Sequence, residues 1–286
     1  MTMPLYSPVF WRDERMPFVE LRKVADGRQV CYALHSHLHW SLGAITNGKS
    51  TFRYRNDSFA VSAGDLVIMN PEWAHACNPI GDHPWSYLMM YVDTQWLTNL
   101  RFHAGLLPTP AWQDLHTAVL SDNRWFDRYC HLADCLLDTQ TTVTGKQREL
   151  EAFLSDLMHE LATQPITQQP VTACVLTQLA RYIDQHATED VSLETLCALS
   201  GFSEGHLIRS FKQAFGFTPH AYLVNRRVQL GQSELKQGTP IAKVALNAGF
   251  ADQPHFQRAF KLRVAATPNQ YRLGSANEKI HATGSK

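Results

Sequence analysis

GFSEGHLIRSFKQAFGFTPHAY, residues 201–222, and GFADQPHFQRAFKLRVAATPNQY, residues 249–271, are two versions of one pattern. Gly-Phe opens each copy, Arg-x-Phe-Lys follows, and Thr-Pro and Tyr close it, with one extra residue in the turn of the second. A short amphipathic segment precedes each, LETLCALS (193–200) or IAKVALNA (241–248). Each copy therefore reads as helix, tight turn at glycine, second helix, with Ser203 or Asp252 placed to accept from free N–H groups at the start of that second helix. Leu207 and Phe211, and Phe256 and Phe260, lie four apart and are expected in the core. The opposite faces then carry Gly205, Ile208, Arg209 and Lys212, or Gln253, Pro254, Gln257, Arg258 and Lys261. Arginine and glutamine suit base edges in the major groove, while lysine suits phosphates. A helix over 219–236 joins the units and spans roughly 26 Å at ~1.5 Å per residue, a reach compatible with recognition helices about one DNA turn apart.

Residues 174–273 resemble the DNA-binding domain of the AraC/XylS family of transcription regulators. The family's second-unit signature stands here as Gly249-Phe250, Phe256-Gln257-Arg258-Ala259-Phe260-Lys261 and Pro268-Asn269-Gln270-Tyr271-Arg272. By position, the resemblance puts base reading on Gly205, Ile208 and Arg209, and on Gln253, Pro254, Gln257 and Arg258. This chain departs from the pattern in three places. Gly205 and Ile208 offer no side-chain hydrogen bond, Pro254 replaces a residue that often carries a donor, and Ala265 stands where the first copy has Gly216, a strained choice if that position needs positive φ.

Charge divides the chain in the same way. Net charge is zero over 286 residues, yet 1–172 holds 13 Lys and Arg against 18 Asp and Glu, and 173–274 holds 11 against 7. Only the basic back third suits a polyanion such as double-stranded DNA. No apolar run approaches the roughly 20 residues needed to cross a bilayer, so a cytoplasmic protein with no membrane partner is expected. The six cysteines show no zinc or disulfide spacing. No catalytic Ser/His/Asp set, phosphate loop or nucleotide motif is present, and neither enzyme activity nor a cofactor is expected.

Between 17 and 95, short β-runs alternate with turn signals at Asn47-Gly48, Asn56-Asp57 and Ala63-Gly64-Asp65, the pattern of a small antiparallel barrel or sandwich. His35, His37 and His39 alternate on ALHSHLHW and, on a strand, would share one face, with His75 on a later strand. The pattern resembles the two motifs of the cupin barrel, without the glutamate that metal-binding cupins place after His-x-His; Trp40-Ser41-Leu42-Gly43 stands there instead. The resemblance implies the effector-binding barrel that the family commonly places before its DNA domain, with His35, His37, His39, His75, Trp85 and Tyr87 as pocket groups and no metal. The rival reading is a metal-dependent cupin enzyme fused to a DNA-binding domain. Trp85, Tyr87, Met89 and Tyr91 alternate along the expected last strand, as pocket wall or as core. NPEWAHACNPI followed by PWSYLMMYVD resembles regulators found beside amino-acid exporter genes, which implies an amino acid or amine as the small-molecule effector.

From about 111, helical spacing appears in WFDRYCHLADCLLD and KQRELEAFLSDLMHELA, with Gly145 as the break, and the two helices either form a homodimer seam or cover the barrel. The fold class expected is α+β: a cupin-like antiparallel barrel with a helical hairpin over 1–165, then an all-α domain of two helix-turn-helix units over 173–274, and a disordered tail over 275–286. An activator of this kind would also contact RNA polymerase. Residues 163–172 are polar and carry two prolines, so they are the expected linker. Limited proteolysis of the whole chain is expected to release a fragment beginning near Val171; a resistant linker with cuts inside both domains would contradict this boundary.

Overall fold

A computed structural model of the protein describes residues 8–28, 32–162 and 174–273. The linker and tail expected from the sequence lie outside these residues. The strands are β1 (Val9–Trp11), β2 (Val19–Val24), β3 (Trp40–Asn47), β4 (Lys49–Tyr54), β5 (Asp57–Ser62), β6 (Leu66–Met69), β7 (His75–Pro79), β8 (Ser86–Val92) and β9 (Val119–Leu120). They form two antiparallel sheets, one ordered β1-β2-β8-β3-β6-β9 and one ordered β5-β4-β7. The expected turns are present: Gly48 and Gly64 take positive φ where the chain crosses between the two sheets, from β3 to β4 and from β5 to β6, and Arg55 does so beside Asn56 in the turn that pairs β4 with β5. Phe52, Tyr54 and Val61 from the small sheet share a core with Ile45, Val67, Met69 and Tyr87 from the large one. This is the cupin-like α+β arrangement expected.

Three local expectations are corrected. His35, His37 and His39 are not on a strand; only His35 makes an isolated bridge, to His75, and the rest of 33–39 is irregular. β8 is followed by helix α1 (Thr94–His103) and by β9, which pairs with β6, so β8 is not the last strand. Gly145 does not separate the next two helices, α2 (Asn123–Leu137) and α3 (Val143–Ala162). The break falls at 138–142, where Asp138 accepts from the Gln140 amide and Thr142 Oγ1 accepts from the Gly145 amide. These local polar contacts end one helix and start the next, a role that glycine spacing alone does not reveal. The apolar stripes of α2 and α3, including Trp125, Tyr129, Leu132, Phe153 and Leu157, are spent covering the large sheet. Tyr129 also donates to the Leu42 carbonyl across that contact at 2.8 Å.

The second half is helical: α4 (Cys174–Gln185), α5 (Leu193–Ser200), α6 (Glu204–Phe215), α7 (Pro219–Lys236), α8 (Ile241–Asn247), α9 (Gln253–Val264) and α10 (Pro268–Leu273). Thr218 caps α7 with Pro219 in the first turn, which explains the abrupt start of the joining helix. Leu207, Phe211, Phe256 and Phe260 are fully buried, as their spacing requires.

The two halves meet along α7. Asn225 accepts from the Ser36 amide at 3.1 Å and donates to the Ser36 carbonyl and hydroxyl, all buried. Arg226 joins Glu72 to Asp184, and Lys236 reaches Glu20 on β2 at 2.9 Å. Burial by itself would raise the Glu20 carboxyl, but Lys236 and Arg12 outweigh that and bring it down to about 2 from an ordinary 4.5. A depressed carboxylate contributes stability above its unfolded value and loses it as pH falls toward the folded one. Acid unfolding of the whole chain should therefore steepen from pH 4.5 toward 2, and Glu20→Gln should remove that component while costing about 3 kcal/mol at neutral pH by orphaning two cations. Equilibrium denaturation at several pH values reads both.

Candidate DNA interface and effector site

α5 with α6, and α8 with α9, are the two helix-turn-helix units, and their turns use Gly201 and Gly249 at positive φ. Gly249 has a second reason to lack a side chain, because a Cβ there would lie 2.8 Å from the backbone of Thr188. On α6, Gly205, Arg209 and Lys212 are exposed and Ile208 is half-buried. The Arg209 guanidinium lies 3.3 Å from the place a Gly205 side chain would occupy, so the glycine leaves room for the arginine on that face. On α9, Pro254, Gln257, Arg258 and Lys261 are exposed and Gln253 is half-buried, with Pro254 in the first turn where its missing N–H costs nothing. All nine residues thus lie on the outer faces of two second helices.

The caps of these helices differ. Asp252 accepts from the His255 amide at 2.6 Å, whereas Ser203 makes no side-chain cap hydrogen bond. At the other ends, Gly216 and Ala265 both take the left-handed conformation, with φ of 78° and 49°, so the strain anticipated at Ala265 is present.

Both of these C-terminal ends rest on the sensor half. A Cβ on Gly216 would come within 2.6 Å of Ala74 Cβ, and Arg55 donates to the Ala214 carbonyl at 3.2 Å. At the end of α9, three carbonyls have donors from the other domain: the Ala33 amide to Leu262 at 2.7 Å, and Arg22 Nη1 and Nη2 to Val264 and Ala265 at 2.5 and 3.0 Å.

The expected effector residues fall in two places. His35, His37, His75, Trp85 and Tyr87 border a void of only about 20 Å³ inside the barrel, where the Tyr32 and Tyr87 hydroxyls bond at 2.7 Å. That is room for about one water. His39 is absent from this wall and instead borders, with the outward sides of His35 and His37, a cavity of about 850 Å³ between the domains. Drug-sized ligands occupy cavities of this order. Sequence reading singled out Tyr91 but missed most of the wall, including Arg22, Asn225, Lys236 and Arg263, because it joins five separate stretches of chain.

The His35 and His37 rings pack on His75 with centroids 4.4 and 4.6 Å apart. Burial, reinforced by neighbouring rings and cations, lowers His35 to about 4, His37 to about 3 and His75 well below the ordinary range, so all three are neutral at pH 7. Their Nδ1 atoms lie against the Ala33, His39 and Trp73 carbonyls at 2.8 to 3.0 Å. Among the described residues, no group of three or more His, Cys, Asp and Glu is arranged to hold a metal ion.

The family model described as "AraC-like ligand binding domain" matches residues 18–162, about half of the chain. The chain belongs to the AraC family. A second model, described as "Helix-turn-helix domain", matches residues 196–274. The regulator is 26% identical over 239 residues to the Bacillus subtilis protein named as the uncharacterized HTH-type transcriptional regulator YbfI, covering 77% of this chain and 80% of that one. It is 35% identical over 101 residues to the right origin-binding protein of Escherichia coli, covering 35% of each. Its fold is similar to that of ToxT from Vibrio cholerae, with a TM-score of 0.55 at 11% identity over 98% of this chain and 99% of that one. It is thus a DNA-binding transcription regulator with a ligand-binding N-terminal domain, and no described helix is long and apolar enough to cross a membrane.

The unequal N-caps make a direct test of the two recognition helices. Asp252→Ala is expected to destabilise the protein by about 1 kcal/mol in chemical denaturation, while Ser203→Ala is expected to be close to neutral.

Proposed function

We propose that the regulator reads an operator with α6 and α9 in successive major grooves and responds to a small organic effector held between its domains. The carrying observation is that the exposed faces of both helices bear Arg209 and Lys212, or Gln257, Arg258 and Lys261, while their C-terminal ends rest on the sensor half. A ligand that alters the sensor surface therefore alters the seat of both readers. Arg209 and Arg258 are assigned to base edges and Lys212 and Lys261 to phosphates, because arginine presents a bidentate fork and lysine a point charge. Gln253 and Gln257 add polar readout on α9, and Gly205, Ile208 and Pro254 contribute van der Waals fit.

The effector class first expected was an amino acid or amine. Arginines in the wall of the 850 Å³ cavity favour a ligand with an anionic end over a bare amine. The V. cholerae protein with this fold has been solved with an unsaturated fatty acid bound. Contact with RNA polymerase, and pairing of two chains through the outer face of the α2–α3 hairpin, complete the proposal; that face carries the Arg124–Glu160 and Arg128–Asp156 ion pairs.

The test is to select bound fragments from the source genome, then measure affinity for the selected operator and for scrambled DNA at several salt concentrations. Arg209→Ala should cost about 1 to 3 kcal/mol on the operator and little on scrambled DNA. Lys212→Ala or Lys261→Ala should weaken both alike and reduce the salt slope by about one. Equal loss on both DNAs for Arg209→Ala would reassign it to phosphate contact, and failure to enrich any fragment would overturn the operator reading.

A further inference from the structure

We propose that Arg22 on β2 and Arg263 on α9 form the anion-binding end of the effector site, taking the carboxylate of a small organic acid. The bound acid would tie the sensor sheet to the second recognition helix. This rests on the effector-controlled reading above and deepens it.

The charge balance of the cavity points there. Its wall holds the carboxylates of Asp13, Glu14 and Glu20. Asp13 is held by both ends of the Arg15 guanidinium at 2.8 and 2.6 Å, and Glu20 by Arg12 and Lys236. Glu14 is exposed at the rim. Among the described residues, Arg22 and Arg263 have no carboxylate partner.

Arg22 is 1% exposed, and its outer nitrogens are committed to the α9 carbonyls. Its Nε has no hydrogen-bond partner. Arg263 donates Nη1 to the Ala259 carbonyl of its own helix, and its Nε is likewise buried without a partner. Both positive charges reach His35, which burial and these cations keep neutral, so the histidines offer no compensating negative charge. A buried cation such as Arg22, offset by carbonyl dipoles, Tyr91 and the face of the Phe10 ring but by no carboxylate, is costly, and a buried N–H with no acceptor, present on both arginines, adds to that cost. Two such groups from different domains on one cavity of about 850 Å³ define a place where an added carboxylate gains charge-assisted hydrogen bonds.

The body of the acid has its own surface. Phe10, Phe18, Val19, Val228 and Tyr271 line other parts of the same cavity and suit an apolar or mixed skeleton. The mouth lies beside Leu38, which is 52% exposed, and Pro17.

The consequence for DNA reading follows from where the cations sit. Arg22 already holds the Val264 and Ala265 carbonyls, and Arg263 is part of α9 itself. An acid bound to both bridges β2 to α9 and stabilises the seated position of that helix. Whatever the bound acid does to α9, DNA held by α9 does to the affinity for the acid, by linkage.

The experiment uses the whole chain. Hexanoate, decanoate, adipate and glutamate are titrated by calorimetry and thermal shift beside hexanamide and hexylamine. At least one acid is expected to raise the melting midpoint while hexanamide and hexylamine do not. Arg263→Gln is expected to bind that acid at least tenfold more weakly, and hydrogen exchange should slow at the C-terminal end of α9 in its presence. Arg22→Lys, which keeps the charge and loses the fork, is the second variant. If neither variant folds, the comparison of acid with amide on the natural chain decides. Binding of the amide or amine in place of the acids, equal acid affinity in wild type and Arg263→Gln, or no acid binding would each overturn the proposal. The operator selection above, done on the same preparation, shows whether the regulator reading survives that result.

Discussion

The guanidinium of Arg22 is buried between a sheet and the end of a helix, and its charge is carried by the Val264 and Ala265 carbonyls. A buried cation must be solvated by something, and here the negative end of the α9 dipole does it. Neither partner can leave alone without stranding the other. The Ala33 amide on Leu262 and the Ser36–Asn225 pair extend the same seam along α9 and α7. The placement of the DNA-reading half relative to the sensor follows from these polar and backbone-directed contacts, together with the apolar packing of Phe10, Leu34 and Ala74 against the helical half.

That choice of glue has a functional consequence. Apolar interfaces tolerate small slips, whereas a set of buried hydrogen bonds has few satisfactory arrangements. Residues 33–39 touch three things at once: the cavity through His35, His37 and His39, α7 through Ser36, and α9 through Ala33. Because the segment is irregular, its backbone groups are free to bond outward to the second domain. On a regular strand they would have been consumed by the ladder. The barrel interior is closely packed; the void of only about 20 Å³ beside Trp85 and Tyr87 leaves the cavity at the domain seam as the roomier site.

The two recognition helices are not equivalent in how they are held. Gly216 meets its left-handed cap without strain and approaches Ala74 closely because it has no Cβ. Ala265 takes the same conformation with a side chain, and the sensor half offsets that cost by donating to its carbonyl and packing the barrel edge against it. The helix with the richer polar face is thus the one more firmly tied to the sensor.

The sequence by itself determined the repeat, the boundaries of the joining helix, the buried Leu207, Phe211, Phe256 and Phe260, and the outward faces of both readers. These follow from helical periodicity and from turn and cap chemistry, which act over a few residues. It also foretold the strain at Ala265, since a repeat exposes a departure from its own copy. The histidine spacing was visible, but its meaning was not: alternation on an assumed strand put three rings on one face, and the chain instead leaves the strand there and joins His35 and His37 to His75. Tertiary structure alone decided which cavity is large, which arginines lack a carboxylate, and that both recognition helices end on the sensor. The deciding contacts join residues some 150 to 240 positions apart, such as Arg22 with Val264 and Ser36 with Asn225. No periodicity records such pairs, because they depend on how two finished domains pack.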